Sequence, residues 1–139
     1  MKRIFSFLLI SFLIIPELLF AWGSGDKIIF TGDDATISST TVLSFGSDRE
    51  GIFTPVDLLC TNFTAQVDGF PDSDAWTITV RDDGSNTNLT CTIEFSATTC
   101  SSSKSVFISA GSIIDVNWVK TGGIIATSGS SMSMICEIV

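Results

Sequence analysis

The chain has 139 residues, with 15 acidic against 7 basic side chains, a formal net charge of −8 and no histidine. That balance excludes a nucleic-acid or anionic-membrane surface, where Lys and Arg carry the binding. The missing imidazole excludes Ser-His-Asp and Cys-His catalysis and removes a principal zinc ligand.

Lys2 and Arg3 open the chain. Ile4 to Ile15 is apolar except for Ser6 and Ser11, and Pro16-Glu17 interrupts the run before Leu18-Leu19-Phe20-Ala21. A membrane-spanning helix needs about 20 apolar residues in a row. This shorter, broken run reads as a secretory signal peptide over residues 1–21, cleaved after Ala21 or Gly23. Residues 22–139 then form one domain, long enough for its own core. The expected location is secreted, at the cell surface or in the periplasm, with no membrane contact after cleavage.

Lys27-Ile28-Ile29-Phe30 reads as a short edge strand and Thr31-Gly32-Asp33-Asp34 as a turn. Ala35 to Phe45 is rich in Ser, Thr, Val and Ile and suits a strand, with a parity switch near Thr40-Thr41. Gly46 to Gly51 is turn-like, and Ile52 to Val56 leads into the next strand with Pro55 fixing the entry. In Leu59 to Val67, Phe63, Ala65 and Val67 alternate with polar residues, so one face is buried. By that parity Cys60 falls on the polar side, through a bulge or a position at the strand's rim. Asp68 to Asp74 is a loop.

Trp76, Ile78 and Val80 alternate with Thr77, Thr79 and Arg81. Asp83-Gly84 is a favoured hairpin pair. Leu89, Cys91, Ile93 and Phe95 then alternate with Thr90, Thr92 and Glu94. A Ser/Thr-rich stretch from Ser96 to Ser105 precedes a short strand, Val106-Phe107-Ile108, and a turn at Ala110-Gly111. Ile114, Val116 and Trp118 mark another strand, and Ile124-Ile125 begins a further one. Ser128 to Ser131 reads as a flexible link, and Met132, Met134, Cys136 and Ile138 as the last strand. No stretch after residue 22 has helical spacing. The fold class is all-β, a two-sheet antiparallel sandwich.

Cys60, Cys91, Cys100 and Cys136 are even in number in an exported chain and predict two disulfides. Of three pairings, Cys91–Cys100 with Cys60–Cys136 is preferred, because Cys91 and Cys100 lie on what read as neighbouring strands. There is no C-x-x-C spacing for zinc.

The run from Trp76, W-T-I-T-V-R-x-D-G, then L-T-C-T-I and S-V-x-I-x-A-G-x-I-I-D-V, resembles the carboxyl half of a compact jelly roll. It is similar to the tumour-necrosis-factor/C1q-like sandwiches of exported and virion-surface proteins, over residues 54–139. The resemblance implies a two-sheet jelly roll, often trimeric, that serves assembly or recognition. Against that pattern the chain has no Tyr, so Trp and Phe must supply the aromatic packing, and it has no collagen-like stalk.

The chemistry-bearing residues are few. Asp68, Asp72 and Asp74 lie close together and suggest a loop calcium site, calcium being the one cofactor considered. Asp68, Asp72, Asp74, Glu94 and Asp115 are also the carboxylates a glycosidase would need, but turn chemistry and solvation account for them. Trp76 and Trp118 are in phase with buried residues and read as core rather than a sugar-stacking platform. Asn62-Phe63-Thr64 and Asn88-Leu89-Thr90 match the N-glycosylation pattern. The expectation is therefore an exported, non-enzymatic module for structure or surface interaction. It self-associates as a trimer or as a filament subunit, with Gly25 to Phe30 adding to a neighbour's sheet edge. The alternative is a carbohydrate-binding module, with a glycan or another surface protein as partner.

Overall fold

The computed structural model describes residues 23–34, 41–43, 51–69, 75–122 and 129–139. The expected signal peptide, Trp22, the strand at Ile124-Ile125, and Asp72 and Asp74 lie outside these residues.

Ten strands follow one another, with no helix among the described residues: β1 (Lys27–Asp34), β2 (Thr41–Leu43), β3 (Ile52–Phe53), β4 (Leu58–Val67), β5 (Ala75–Asp82), β6 (Ser85–Ile93), β7 (Thr99–Ser102), β8 (Val106–Ile108), β9 (Ile113–Thr121) and β10 (Ser130–Ile138). One sheet has the order β1-β10-β4-β7, with β8 also on β4. The other has the order β2-β9-β5-β6, with β3 also on β9. The antiparallel pairs are nested. β5 pairs with β6, β4 with β7 and β8, β2 and β3 with β9, and β1 with β10. Successive shells of this nest alternate between the sheets, which is the wrapping of a jelly roll.

The period of two places the core. Trp76, Ile78, Val80, Leu89, Ile93, Ile114, Val116 and Trp118 from one sheet meet Leu58, Phe63, Ala65, Val67, Met132, Met134 and Ile138 from the other, all buried. Trp76 and Trp118 meet edge to face with centroids 6.2 Å apart, a geometry that adds about 0.5–1.5 kcal/mol to their burial. Asp83 and Gly84, at φ 47° and 76°, form the two-residue β5–β6 turn. Both central residues have positive φ, as a type I′ hairpin requires.

Two irregularities set the register. On β4 the burial phase slips at Thr61-Asn62, where both side chains face outward and Asn62 has φ 51°. Opposite them, β10 jumps from Ser133↔Thr64 to Ile135↔Thr61. This bulge returns Cys60 to the core side, against what parity alone indicates. On β6 extra residues oppose Val80. There the Thr87 hydroxyl donates to the Val80 carbonyl at 2.8 Å and accepts from the Leu89 N–H at 3.1 Å, in place of ladder bonds.

The structure joins Cys60 to Cys136 and Cys91 to Cys100. The Ile138 N–H donates to the Asp26 carbonyl, and hydrogen-bonded pairs alternate along a ladder. Cys136 therefore turns its backbone groups toward β1 and faces Cys60 across a non-hydrogen-bonded pair. That is the closer kind of pair, and the Cα atoms are 3.9 Å apart. Cys91–Cys100 runs from β6 to β7 and ties one sheet to the other.

Three readings of the sequence are corrected. Thr31 to Asp34 is strand, because β10 pairs with it residue for residue down to Asp34↔Ser130. Ser130 and Ser131 likewise belong to β10. Phe95 does not continue the β6 alternation: the strand ends at Ile93, Ala97 N–H closes a turn onto the Glu94 carbonyl, and Phe95 is 62 % exposed. The strand read at Cys100 is β7, held by β4 on one side and by the Cys91 disulfide on the other.

Candidate functional site: the outer face and free edge of the first sheet

The outer face of the β1-β10-β4-β7 sheet has two chemically distinct halves. The register lines up Thr31, Ser133, Thr64 and Ser101 across four strands, and Asp33, Ser131, Gln66 and Thr99 across the same four. All of these but position 33 line a concavity of about 690 Å³. Its outward side chains carry hydroxyls and one amide. The Thr64 and Ser133 hydroxyls bond each other at 2.7 Å, which leaves one of their two protons and several lone pairs for another partner. Thr31, Thr99 and Ser101 make no side-chain hydrogen bond among the described residues. The hydroxyl surface offers both donors and acceptors and, in its described side chains, no charge.

The other half is apolar. Ile29 lies opposite Ile135, and Lys27, Glu137, Leu59 and Phe107 form the adjacent row. Ile29 is 65 % exposed, Phe107 53 % and Leu59 38 %. Contiguous exposure of large apolar side chains on a sheet face marks a surface that meets another one.

At the sheet's edge stands β1, which among the described residues pairs only with β10. The Asp26–Ile138 bond fixes the alternation: residues 28, 30, 32 and 34 bond to β10, and the N–H and C=O groups of Lys27, Ile29, Thr31 and Asp33 point away from it. Proteins blunt such edges with short strands, proline or bulges. The other edges here conform. β3, β7 and β8 are four residues or fewer, and β6 is bulged and tethered through Cys91. β1 is eight residues long, in unbroken register and free of proline.

The second sheet exposes Phe53 and Ile113, which lie opposite each other on β3 and β9, and pairs several of its polar side chains. Thr79 and Thr90 bond at 2.9 Å. Arg81 makes a bidentate pair with Asp115, Nε–Oδ1 2.5 Å and Nη2–Oδ2 2.6 Å. The hydrogen bonds that Arg81 donates to Asp115 raise the guanidinium pKa above its usual value, with partial burial opposing and the carboxylate charge adding to the rise. Both Asp115 oxygens are committed to this fork.

Three of the carboxylates singled out in the sequence, Asp68, Glu94 and Asp115, lie among the described residues and form no cluster there. Asp68 is exposed at the bend after β4, Glu94 is exposed in the β6–β7 turn, and Asp115 is paired. No group of three or more acidic or cysteine side chains fit for a metal occurs among the described residues. Asp72 and Asp74 lie outside them. Trp76 and Trp118 are fully buried and offer no stacking platform. Asn62 and Asn88 are exposed. The hydroxyl rows were not found from sequence, since their members come from four separated segments. The signal was Ser and Thr at the positions out of phase with the core.

No helix among the described residues is long and apolar enough to cross a membrane. No protein-family model and no curated protein matches the chain. Two solved structures are similar in strand layout. One, titled as the acidic stable capsid structure of Helicobacter pylori bacteriophage KHP30, is 8 % identical and aligns over 81 % of this chain and 94 % of its own at a TM-score of 0.46. The other, the infectious bursal disease virus Gx strain, is 14 % identical and aligns over 83 % of this chain at a TM-score of 0.46. This chain spans 33 % of that second protein's length.

Proposed function

We propose that this chain is a non-enzymatic structural module, exported to an oxidising compartment, that assembles with copies of itself. The observation that carries the reading is β1, a long apolar edge whose outward backbone groups have no partner among the described residues, beside exposed Ile29. Two disulfides fit an oxidising, extracellular setting. The committed Asp115 and the missing histidine support a non-enzymatic role. A tumour-necrosis-factor/C1q-like trimer, a filament and an edge-paired dimer are the forms this assembly can take, and stoichiometry separates them. Sedimentation velocity of the oxidised chain across a wide concentration range is the test. Oligomers that dissociate on dilution are expected; a single monomer boundary at every concentration refutes the reading.

The hydroxyl-lined concavity favours a second reading, binding of a neutral glycan. Neighbouring strands set hydroxyls ~4.8 Å apart, a spacing comparable to one pyranose ring. Titration calorimetry with neutral oligosaccharides, on the wild type and on Thr64→Val, tests it. Heats that Thr64→Val leaves unchanged, or no heats at all, refute it.

A further inference from the structure

We infer that two copies of this chain pair through their β1 edges, antiparallel about a two-fold axis, with position 30 facing position 30 of the partner. The inference rests on the self-assembly reading and names its geometry.

Three constraints lead to one register. Only residues 27, 29, 31 and 33 direct N–H and C=O groups outward, so these must form the hydrogen-bonded pairs of any added strand. An isologous pairing makes each contact occur twice, which leaves a short series of registers. Charge then selects among them. A pairing centred on position 27 or on position 33 sets like charges opposite each other, which is unfavourable. Centring on position 30 sets Lys27 opposite position 33, an aspartate, and Ile29 opposite Thr31. Each pair occurs twice, and the overlap uses the strand nearly end to end.

The pairing matches the other features of the edge. It engages the outward backbone groups of β1, and it sets exposed Ile29 diagonally beside its symmetry mate, within reach of a side-chain contact. It joins two five-stranded sheets into one continuous sheet. The occupant is a second copy because the register is self-complementary: Lys27, which faces Glu137 on β10, meets position 33 of the partner on its open side at both ends of the ladder. The overall charge of −8 opposes association in general, so the local pairs have to fix where it happens.

The test uses charge swaps in the full disulfide-bonded chain, followed by sedimentation velocity, with far-UV circular dichroism to check that each variant is folded. Lys27→Asp sets two aspartates opposite each other at both ends of the ladder; Asp33→Lys sets two lysines there. Each single variant is expected to associate about tenfold or more weakly than the wild type, from reversing two cross-strand pairs. An equimolar mixture of the two restores association, because the 27–33 pairs between unlike variants are again of opposite charge. The double variant K27D/D33K also restores it. Association that persists in both single variants overturns the edge pairing and leaves self-assembly to another surface, such as the Ile29-Ile135-Leu59-Phe107 patch. Loss in the singles without recovery in the mixture overturns the register. A wild type that stays monomeric overturns this inference together with the reading it rests on.

Discussion

Removing the two disulfides one at a time separates their contributions by loop length. Cys60–Cys136 spans 76 residues and Cys91–Cys100 spans 9. The loop-closure relation gives about 4.5 kcal/mol for the first and about 2.7 for the second. Replacing both partners together avoids a lone thiol, and valine roughly conserves volume. This matters most for Cys60 and Cys136, which are fully buried, whereas Cys100 is partly exposed. C60V/C136V should therefore be the less stable variant by about 1.8 kcal/mol, before any packing loss widens the gap. For a domain of this size that difference separates the melting temperatures by roughly 7–14 °C. Equilibrium unfolding in guanidinium under oxidising conditions measures it directly. If C91V/C100V proves the less stable, or the two match within error, chain connectivity is not what these bonds contribute. The staple between the sheets would then matter more than the bond between strands already paired.

Gly51 sits at φ +84°, and an added Cβ would stand 2.6 Å from Ile113 Cγ2 and 2.8 Å from the Ile114 carbonyl. Gly51→Ala should cost about 1–3 kcal/mol from backbone strain alone, read by urea denaturation. Thr87→Val removes the hydroxyl that bridges the β6 irregularity and should cost about 1–3 kcal/mol by leaving the Val80 carbonyl and Leu89 N–H short of partners; hydrogen exchange at Leu89 should rise with it. Phe95→Ser should change stability by no more than about 0.5 kcal/mol, while Ile93→Ala, two residues earlier on the buried face, should cost about 2–5. Thermal melts of the pair check both.

The sandwich was legible because its signals are local. Asp83-Gly84 dictates its own turn, and the alternation from Trp76 to Val80 or from Met132 to Ile138 needs only a period of two. What was not legible depended on partners distant in sequence. Thr31-Gly32-Asp33-Asp34 has turn chemistry, yet β10 supplies a ladder that outweighs it. The bounds of β7 are set by β4 and Cys91, since the strand lacks apolar alternation. Cys60 looked out of phase because a bulge at Asn62 leaves no reliable trace in a Leu-Cys-Thr-Asn-Phe run. The hydroxyl rows and the β1 edge depend on the order of strands in the sheet, which the sequence does not spell out. The acidic cluster at Asp68 has only that one member among the described residues.

The position of β10 between β1 and β4 bears on how the protein is made. A chain emerging from the ribosome can form the β5–β6 hairpin early, but the first sheet lacks its middle strand until Ile138 has been synthesised. Until then β1 and β4 have nothing to join them. Until that strand is present the first sheet cannot close. The same delay makes the timing of oxidation matter. Before Cys136 arrives, the partners within the chain for Cys60 are Cys91 and Cys100, so a bond that Cys60 forms too soon is a wrong one and must be reshuffled before the sandwich can close.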